Sequence, residues 1–243
     1  PLLVGGRFCG YRGVASDVTE ATEAGLQVLH LARFDSLTGL ANRNMFQDEL
    51  HRTLRRACSQ GRGFAVLFID LDRFKFVNDT LGLAAGDELL KVMSGRLKGL
   101  LRGVDFLARL GGDEFVVLLD GVTDPATLSK VASRLLTQLA EPLELGGRSV
   151  QISGSVGISL FPADGQDAAT LLKNADAAMY LAKSRGKNNF QFFTPDLGQR
   201  AARHFAMESD LRRAVEDEQL VLHYQPVFRA DDGRLCGMEA LVR

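Results

Sequence analysis

The chain has 243 residues, of which 46% are hydrophobic and 24% charged, a composition that is typical of folded domains and excludes disorder, collagen and coiled-coil rods. Because 29 Lys and Arg stand against 30 Asp and Glu, no global positive field gathers a nucleic acid, so any phosphate binding must be local. The longest apolar run, Phe64 to Ile69, is far shorter than the ~20 residues of a membrane helix.

Three cysteines, Cys9, Cys58 and Cys236, lie far apart without paired spacing. This pattern predicts free thiols in a reducing compartment rather than a disulfide framework or a zinc site. The N-terminus has no basic start and cleavage site of a signal peptide. We therefore expect a cytoplasmic location, with no nucleic-acid partner and no membrane segment in this piece of the protein.

The first residues predict a strand and then a helix. Glycines alternate with aromatic and apolar residues from Gly6 to Glu20, which indicates a last strand ending at Asp17, a good helix N-cap. A helix should follow over Val18 to Phe34, with small and apolar residues at three-four spacing. That helix is either a coiled-coil linker or a plain packed helix. Since the chain starts at Pro1 and stops at Arg243 in an apolar-rich run, we expect a piece of a longer protein.

The central part predicts an α+β domain. Its first strand, FAVLFID from Phe64, ends in acidic residues, and a helix with Leu90, Met93, Leu97 and Leu101 on one face follows. Two short strands joined by Gly111 to Glu114 form a hairpin with two carboxylates at its tip. The predicted strands and helices after the first helix are Phe106–Leu110, Phe115–Leu119, about Pro125–Ala140, Val150–Leu160, Asp167–Arg185 and Asn189–Phe193. The order βαββαβ with one extra element predicts a ferredoxin-like antiparallel sheet with helices on one face.

After Pro195 the pattern predicts a new helix, with Leu211, Ala214 and Val215 on one face, and then a strand, VLHYQPVF. These residues are too few to close a core of their own, so they indicate the start of another domain.

Clustered acids at strand ends are the main chemical signal. Asp70 and Asp72 end the first central strand, and Asp113 and Glu114 lie in the hairpin turn. If the strands are neighbours, these oxygens share one point and need a cation to offset their repulsion. Oxygen ligands without His or Cys fit Mg²⁺ held jointly with a substrate triphosphate. The alternative is that the acids are merely solvated, although Gly111 and Gly112 leave room for a ligand against the backbone.

Other polar residues have two interpretations each. Lys75 can offer an ammonium to phosphates, and Asn78 with Asp87 can read a base that has donor and acceptor edges, but the latter two also suit a helix cap and a first helical turn. Lys183 and Lys187, four residues apart where a helix ends at Gly186, either bind phosphates or satisfy the helix C-terminus. The spacing leaves both open.

Five segments in one order closely resemble the GGDEF family of diguanylate cyclases. They span Asp35 to Pro195, and the match of all five is far more specific than the pentapeptide alone. The segments are DSLTGLANRNMF (Asp35 to Phe46), FIDLDRFKFVNDTLGLAAGDELL (Phe68 to Leu90), RGVDFLARLGGDEF (Arg102 to Phe115), SVGISLFP (Ser155 to Pro162) and ADAAMYLAKSRGKNNF (Ala175 to Phe190).

The flanking segments carry two further resemblances. GRFCGYRGVASDVTE is similar to the end of a PAS sensor domain, and LVLHYQPVF with GMEALVR resembles the opening of an EAL phosphodiesterase domain. We therefore expect four parts, namely residues 1–19 as the end of a PAS domain, 20–34 as a signalling linker helix, 35–195 as the GGDEF domain and 196–243 as the start of an EAL domain. Glu239 resembles the first EAL metal ligand and Gln225 lies in its YQP motif, but the other ligands are not in this chain, so we expect no hydrolysis of cyclic di-GMP.

The resemblance implies that two GGDEF domains face each other as a homodimer and condense two GTP into cyclic di-GMP and two pyrophosphates. By motif position, Asp70, the carbonyl of Leu71, Asp113 and Glu114 hold Mg²⁺ or Mn²⁺, and Asp113 assists deprotonation of the attacking 3′-hydroxyl. Two metal ions supply the charge neutralisation and in-line placement that phosphoryl transfer needs.

The resemblance also assigns the substrate contacts. Asn78 and Asp87 read guanine, while Lys75, Lys183 and Lys187 contact the triphosphate. Lys187 stands where many members carry Arg, which keeps the charge but loses the bidentate fork. A second departure is Leu83, where the family usually has His. Leucine donates no hydrogen bond, so we expect weakened activity, on the scale of the ~1 kcal/mol of a typical bond.

Arg102 and Asp105 match the RxxD inhibitory site of the family, at which cyclic di-GMP binds as product and inhibitor. The alternative is a surface ion pair of little energy. For the whole chain, the leading hypothesis is a GTP-dependent diguanylate cyclase, and the second is a GTP-binding module that regulates an adjoining EAL phosphodiesterase. A pure dimerisation linker, which would bind no nucleotide, is the third.

Overall fold

The computed structural model describes residues 3–9, 30–196, 207, 210–211 and 213–242. The predicted strand ending at Asp17 and most of the predicted linker helix lie outside these residues, although residues 30–33 are helical. A short hairpin of β1 (Leu3–Val4) and β2 (Arg7–Phe8) comes first. Within the described ranges, no helix has both the length and the apolar character needed to cross a membrane.

The central sheet has five strands in the spatial order β4 (Phe106–Gly111), β5 (Glu114–Asp120), β3 (Phe64–Leu71), β8 (Gly154–Phe161) and β9 (Phe190–Phe192). All neighbours pair antiparallel except β8 and β9, which are parallel. The remaining two strands of this region form a separate antiparallel hairpin. These two strands are β6 (Leu143–Leu145) and β7 (Arg148–Val150). The helices are α1 (Arg43–Gln60), α2 (Phe74–Leu81), α3 (Leu83–Leu100), α4 (Pro125–Leu139) and α5 (Ala168–Ser184).

Helices cover both faces of this sheet. All eight residues of β3 are buried, and successive side chains of a strand point to opposite faces. Leu67 and Ile69 join a core with α3 and α4, whereas Phe64 and Val66 join a second core with α1 and α5. A strand that is apolar on both sides needs a layer on each side, so β3 determines a three-layer arrangement.

The predicted α+β class with a ferredoxin-like order and flanking helices is confirmed, but two details are wrong. The helices do not lie on one face, because β3 buries both of its sides. The sheet is mixed rather than wholly antiparallel, because α5 returns the chain to run β9 parallel to β8, as a helical crossover does.

Two segments differ from the sequence-based boundaries. The predicted strand Val150–Leu160 is split, since β7 ends at Val150 and pairs with β6 whereas β8 begins at Gly154. Helix α1 was not predicted at all. Asn42 caps it by accepting a hydrogen bond from the Met45 amide, and Gly61 ends it at a φ of 61°.

Near the C-terminal end, residues 213–216 are helical and β10 (Leu222–Phe228) pairs antiparallel with β11 (Leu235–Val242). The predicted helix and the predicted strand VLHYQPVF are therefore present. Nearly every residue of this two-stranded ribbon is exposed, including Tyr224, Phe228 and Met238. A lone ribbon is marginally stable by itself.

Helix α5 packs on β8 with its main chain against Gly157. A Cβ atom at this position would overlap the carbonyl of Ala175 and the amide of Met179, both on the helix backbone. Neither group can turn away as a flexible side chain would, so only glycine allows this approach. The helix that carries Lys183 is thereby held tightly against the centre of the sheet.

We predict that Gly157→Ala destabilises the protein by about 3 kcal/mol, because the added methyl group forces the helix away from the strand. The matched control is Gly95→Ala. Gly95 is exposed within α3 and a Cβ there meets nothing within 4 Å, so this change should stabilise by about 0.5–1 kcal/mol. Urea unfolding of both variants measures the difference, and equal midpoints would contradict the close contact of α5 with β8.

Candidate functional site

The end of β3 and the start of β5 bring the predicted acids together. The strand register places Asp70 directly opposite Glu114, and the Leu71 amide donates to the Asp113 carbonyl at 3.3 Å. Residues directly opposite in a sheet have Cβ atoms about 4.5–5.5 Å apart. Asp70, Leu71, Asp113 and Glu114, predicted from motif positions, therefore share one corner of the sheet.

The turn between β4 and β5 depends on its two glycines. Gly111 has a φ of 146° and Gly112 a φ of 51°, conformations that side chains with a Cβ rarely adopt. No protein atom lies within 4 Å of where a Cβ would be at either residue. The turn thus brings Asp113 beside β3 and leaves its own outer surface open, as the sequence predicted.

Asp70 is buried and carries an unfavourable charge. Burial raises the pKa of Asp70 to about 6, and the charges of Asp113 and Asp72 act in the same direction, against the ammonium of Lys183. Lys183 Nζ lies 2.7 Å from Asp70 Oδ2. The corner therefore favours a positive group next to Asp70, and Lys183 of α5 is that group in this structure.

The donor set suits a hard divalent cation that is completed by other ligands. The site offers carboxylate and carbonyl oxygens only, and the described residues contain no group of three His, Cys, Asp or Glu side chains that could hold a metal by themselves. Mg²⁺ is usually held by one or two carboxylates together with substrate phosphates and water, rather than by an all-protein cage. Asp70 with Glu114 or Asp113 fits that arrangement.

Glu114 has two charged neighbours that the sequence reasoning missed. Burial raises the pKa of Glu114, as does Asp176 of α5, while Arg43 opposes them. Arg43 Nη2 lies 3.7 Å from Glu114 Oε2, and both side chains are partly exposed. The position of Arg43 at the first residue of α1 became informative only once that helix was known.

Asp72 does not join the cation cluster, which corrects the expectation that four carboxylates converge. Its side chain is buried and both of its oxygens are occupied. Oδ1 accepts from Ser155 Oγ at 2.8 Å, and Oδ2 accepts from Ser153 Oγ at 2.7 Å and the Asn188 amide at 3.1 Å. Three convergent donors keep this carboxylate out of the metal corner.

Helix α2 begins beside this corner without a side-chain cap. Its N-cap, Arg73, has a left-handed φ of 61°, and Lys75 is exposed in the first turn. Uncapped amides at a helix start attract anions. The predicted phosphate contact Lys75 therefore lies where a phosphate would find backbone donors as well.

Asn78 and Asp87 lie where α2 meets α3. The Asn78 carboxamide occupies the space that a Cβ at Gly86 would need, so Gly86 permits the two helices to meet at this residue. Asp87 follows Gly86 and is exposed, whereas Asn78 is half-buried. The structure places these two predicted base-reading residues on facing helices.

Lys187 lies in the loop after α5, three residues past the helix end, and is exposed. Lys187 and Asn188 have left-handed φ values of 65° and 48°. Lys183 therefore lies on the helix, in contact with Asp70, whereas Lys187 lies on the loop that follows it. The helix C-terminus is satisfied by backbone bonds, since the Lys187 amide donates to Ala182 at 3.2 Å.

Arg102 and Asp105 lie at the opposite end of β4 from the glycine turn. Arg102 Nε and Nη2 donate to the two carboxylate oxygens of Asp105 at 3.0 and 2.6 Å. A cavity of about 360 Å³ adjoins them, and Lys98 and Phe34 are among its lining residues. The six residues of β4 separate this pair from the turn by about 20 Å.

Arg109 ties the turn to the segment that leads into α1, and it was not among the predicted site residues. Its Nε and Nη2 donate to the Gly112 carbonyl at 3.0 and 2.7 Å, and its Nη1 donates to Asp35 at 2.9 and 3.0 Å. Burial alone would raise the pKa of Asp35, but hydrogen bonds from Thr38 and Arg109 outweigh it and lower that pKa. Asp35 and Arg109 stand in two of the quoted motifs, which was the available signal.

A comparison with protein-family models matches residues 32–189 to "Diguanylate cyclase, GGDEF domain". Among curated proteins, the chain is 46% identical over 213 residues to the cyclic di-GMP phosphodiesterase NbdA of Pseudomonas aeruginosa, covering 88% of this chain and 27% of that protein. It is 43% identical over 225 residues to the bifunctional diguanylate cyclase/cyclic di-GMP phosphodiesterase MucR of the same organism, covering 93% and 33%. The chain thus spans about a third or less of the length of these two relatives.

Among solved structures, the chain is similar to the GGDEF domain of TpbB, also called YfiN, from P. aeruginosa. The TM-score is 0.66 and the identity 41%, over 68% of this chain and 97% of that one.

We predict that Asp35→Asn destabilises the protein at pH 7 by about 1–3 kcal/mol, because it removes the carboxylate that pairs with Arg109. The pKa of Asp35 lies below its usual 3.8 in the folded chain. A lowered pKa gives stability that is full above 3.8 and is lost as the pH falls through the folded value. The difference between variant and wild type should therefore shrink in urea unfolding at pH 3.

The matched control for this prediction is Asp48→Asn. Asp48 pairs with Arg33 at 3.7 Å with both side chains about half or more exposed, so its loss should change the stability by less than about 0.5 kcal/mol at either pH. A pH-independent effect of Asp35→Asn would show that its charge does not stabilise the fold.

Proposed function

Because the chain belongs to the GGDEF family, we propose that its residues 35–195 are a diguanylate cyclase domain that condenses two GTP into cyclic di-GMP and two pyrophosphates. The observation that carries this proposal is the shared corner of β3 and β5, where Asp70 lies opposite Glu114 and in contact with Lys183. Acidic oxygens and an ammonium group beside an uncapped helix start suit a nucleoside triphosphate with its metal.

Asp70, the Leu71 carbonyl, Asp113 and Glu114 would hold Mg²⁺ or Mn²⁺ in this domain. The bound ion supplies neutralisation of the phosphoryl charge and polarisation of the α-phosphate. The raised pKa of Asp70 reflects a buried negative charge that is short of positive partners. With the charge of Asp70 offset by such an ion, Lys183, now paired with Asp70, would be available to the substrate phosphates.

The chain's own residues then position the nucleotide. Asn78 and Asp87 offer donor and acceptor groups to the guanine edge, and the amides at the start of α2 together with Lys75, Lys183 and Lys187 hold the triphosphate. Asp113 accepts the proton of the attacking 3′-hydroxyl.

The attacked α-phosphate belongs to the GTP of a second domain, so each catalytic event needs two chains. The rate of pyrophosphate release should therefore rise faster than linearly with protein concentration. Cyclic di-GMP produced in this way is also the proposed inhibitor at Arg102 and Asp105.

We further propose that residues 1–19 end a PAS domain, 20–34 form a signalling linker and 196–243 begin an EAL domain in a cytoplasmic part of the protein. The direct pairing of Gln225 with Glu239 across β10 and β11 supports the last assignment, because both carry the EAL resemblance. The extensive exposure of this ribbon is consistent with a domain whose remaining residues are not in this chain.

One observation favours a second function, in which the domain binds GTP without useful turnover and regulates a phosphodiesterase. Leu83, where the family usually has His, is 75% exposed at the start of α3 and can donate no hydrogen bond to a nucleotide. The relative NbdA is named a phosphodiesterase. GTP binding by calorimetry without cyclic di-GMP in a chromatographic assay would select this function over the first.

We predict that Asp113→Ala abolishes synthesis of cyclic di-GMP from GTP and Mg²⁺ but leaves the fold intact, because the backbone carbonyl that contacts Leu71 remains. Chromatography of the product and circular dichroism of the variant measure the two effects. Glu144→Ala, which removes an exposed acid of β6, is the matched control and should keep full activity. Equal activity of Asp113→Ala and wild type would refute the metal-site assignment.

We predict that Arg102→Ala raises the inhibition constant of cyclic di-GMP by about tenfold or more, since it removes a bidentate, charged donor. The uninhibited rate should stay the same because Arg102 lies a whole strand away from the turn. Initial rates over a series of added cyclic di-GMP give the constant. Arg55→Ala, at an exposed position of α1, is the control, and an unchanged inhibition curve for Arg102→Ala would reduce this pair to a surface ion pair.

A further inference from the structure

Asp72 is a buried carboxylate that the proposed reaction does not use. Asp72 is only 3% exposed, and its side chain links the end of β3 to two other segments of the chain. Ser153 and Ser155 contact it from the end of the β7–β8 connection and the start of β8, and the Asn188 amide contacts it from the loop after α5. The Asp72 amide adds a bond to the Ser153 carbonyl at 2.9 Å.

The loop that Asp72 holds has a strained conformation. Lys187 and Asn188 both have positive φ values, 65° and 48°. Asparagine adopts this region readily, but for Lys187 it is uncommon and costs of order 1–3 kcal/mol outside a restraining environment. The bond from the Asn188 amide to Asp72 Oδ2 restrains this turn from the side of β3. Asn189 restrains it from within, since its side chain donates to the carbonyls of Ala182 and Lys187 at 2.7 and 2.9 Å.

Two acids at the end of β3 thus contact the two segments that carry the cations. Asp70 contacts Lys183 on α5, and Asp72 contacts the residue directly after Lys187. A lysine side chain is long and flexible, so where its ammonium can reach depends on where its backbone is held. Asp72 provides that backbone restraint for Lys187.

We propose that Asp72 is a positioning residue that holds the Lys187 loop, through the Asn188 amide, in the conformation that binds the terminal phosphates of GTP. The proposal rests on the proposed function, because it assumes that a triphosphate occupies the site. Asp72 itself does not act directly on the substrate or the metal, because its buried side chain is engaged by these three donors. It affects affinity for the β- and γ-phosphates and not for guanine.

The hydrogen-bond pattern predicts that holding the loop does not require a charge at this position. In Asp72→Asn, the amide oxygen can face Ser153 and the Asn188 amide, while its NH₂ group faces Ser155, whose hydroxyl can rotate to accept. The tie to the loop is then kept. In Asp72→Ala, no acceptor remains for the Asn188 amide and the loop is released.

The experiment is calorimetric titration of GTP and of GMP, each with Mg²⁺, into the full chain and its variants. We expect Asp72→Ala to weaken GTP binding about tenfold and to leave GMP binding unchanged. The GTP affinity of Asp72→Asn should stay within about twofold of wild type. Ser155→Ala, which removes a contact to Asp72 without touching the loop, is the matched control and should behave as wild type. Asp72→Ser, whose hydroxyl is too short to reach the Asn188 amide, replaces Asp72→Ala if the latter fails to fold.

A double-mutant cycle identifies the route of the effect. In a Lys187→Ala background, Asp72→Ala should cause no further loss of GTP affinity, because the residue that it positions is gone. Equal losses for GTP and GMP would overturn the proposal in favour of a general structural role, and so would full additivity with Lys187→Ala. A loss of GTP affinity in Asp72→Asn as large as that in Asp72→Ala would also overturn the proposal, because it would show that the charge of Asp72 matters and not its hydrogen bond to the loop. A wild-type chain that binds no GTP would refute the proposed function itself.

Discussion

The antiparallel register of β3 with β5 is the constraint on which the site depends. It sets Asp70 opposite Glu114, and a shift by one residue would turn every side chain of β3 to the other face. Such a shift would disrupt packing on both sides at once, because individual β3 side chains are fitted against α3 and α4 on one face and against α1 and α5 on the other. The position of the carboxylates is therefore a consequence of core packing on both sides of the sheet.

The same packing explains the electrostatics of the corner. Asp70 continues the face that carries Phe64, Val66 and Phe68, which is the face covered by α5. Burial there makes its charge costly, and the same helix supplies Lys183 to offset it. Around this pair, Arg109 joins the glycine turn to Asp35, and Asp72 joins the lysine loop to the end of β3.

Much of this could be predicted from the sequence, because strong periodicity and ordered motifs coincide over residues 64–193. The buried strand at Phe64, the hairpin with Asp113 and Glu114 at its tip, and the helix ending near Gly186 are all present. The corner residues Asp70, Asp113 and Glu114 also lie together, as their places at the ends of neighbouring strands predicted.

What escaped prediction depends on contacts between residues that are distant in the chain. Local spacing gives no signal for which side of the sheet each helix covers or for the parallel pairing of β9. It gives none either for the contact of Arg109 with Asp35, 74 residues away. Asp72 was misjudged for the same reason, since its serine partners lie 81 and 83 residues further along. Helix α1 is a different case, because its capping residues Asn42 and Gly61 could have been recognised in the sequence. The hydrophobic pattern between them is weak.

The close contact at Gly157 has a consequence for how such a domain can be controlled. Because the backbone of α5 rests directly on β8, the helix cannot move closer to the sheet, and the backbone of Lys183 is held in a fixed position relative to β8. A half-site whose backbone is held in this way offers a signal little conformational change within the domain to act on. For the proposed cyclase, control would then act on how often and in what orientation two such domains meet. A signal would change the frequency of their encounters and not the conformation of each domain.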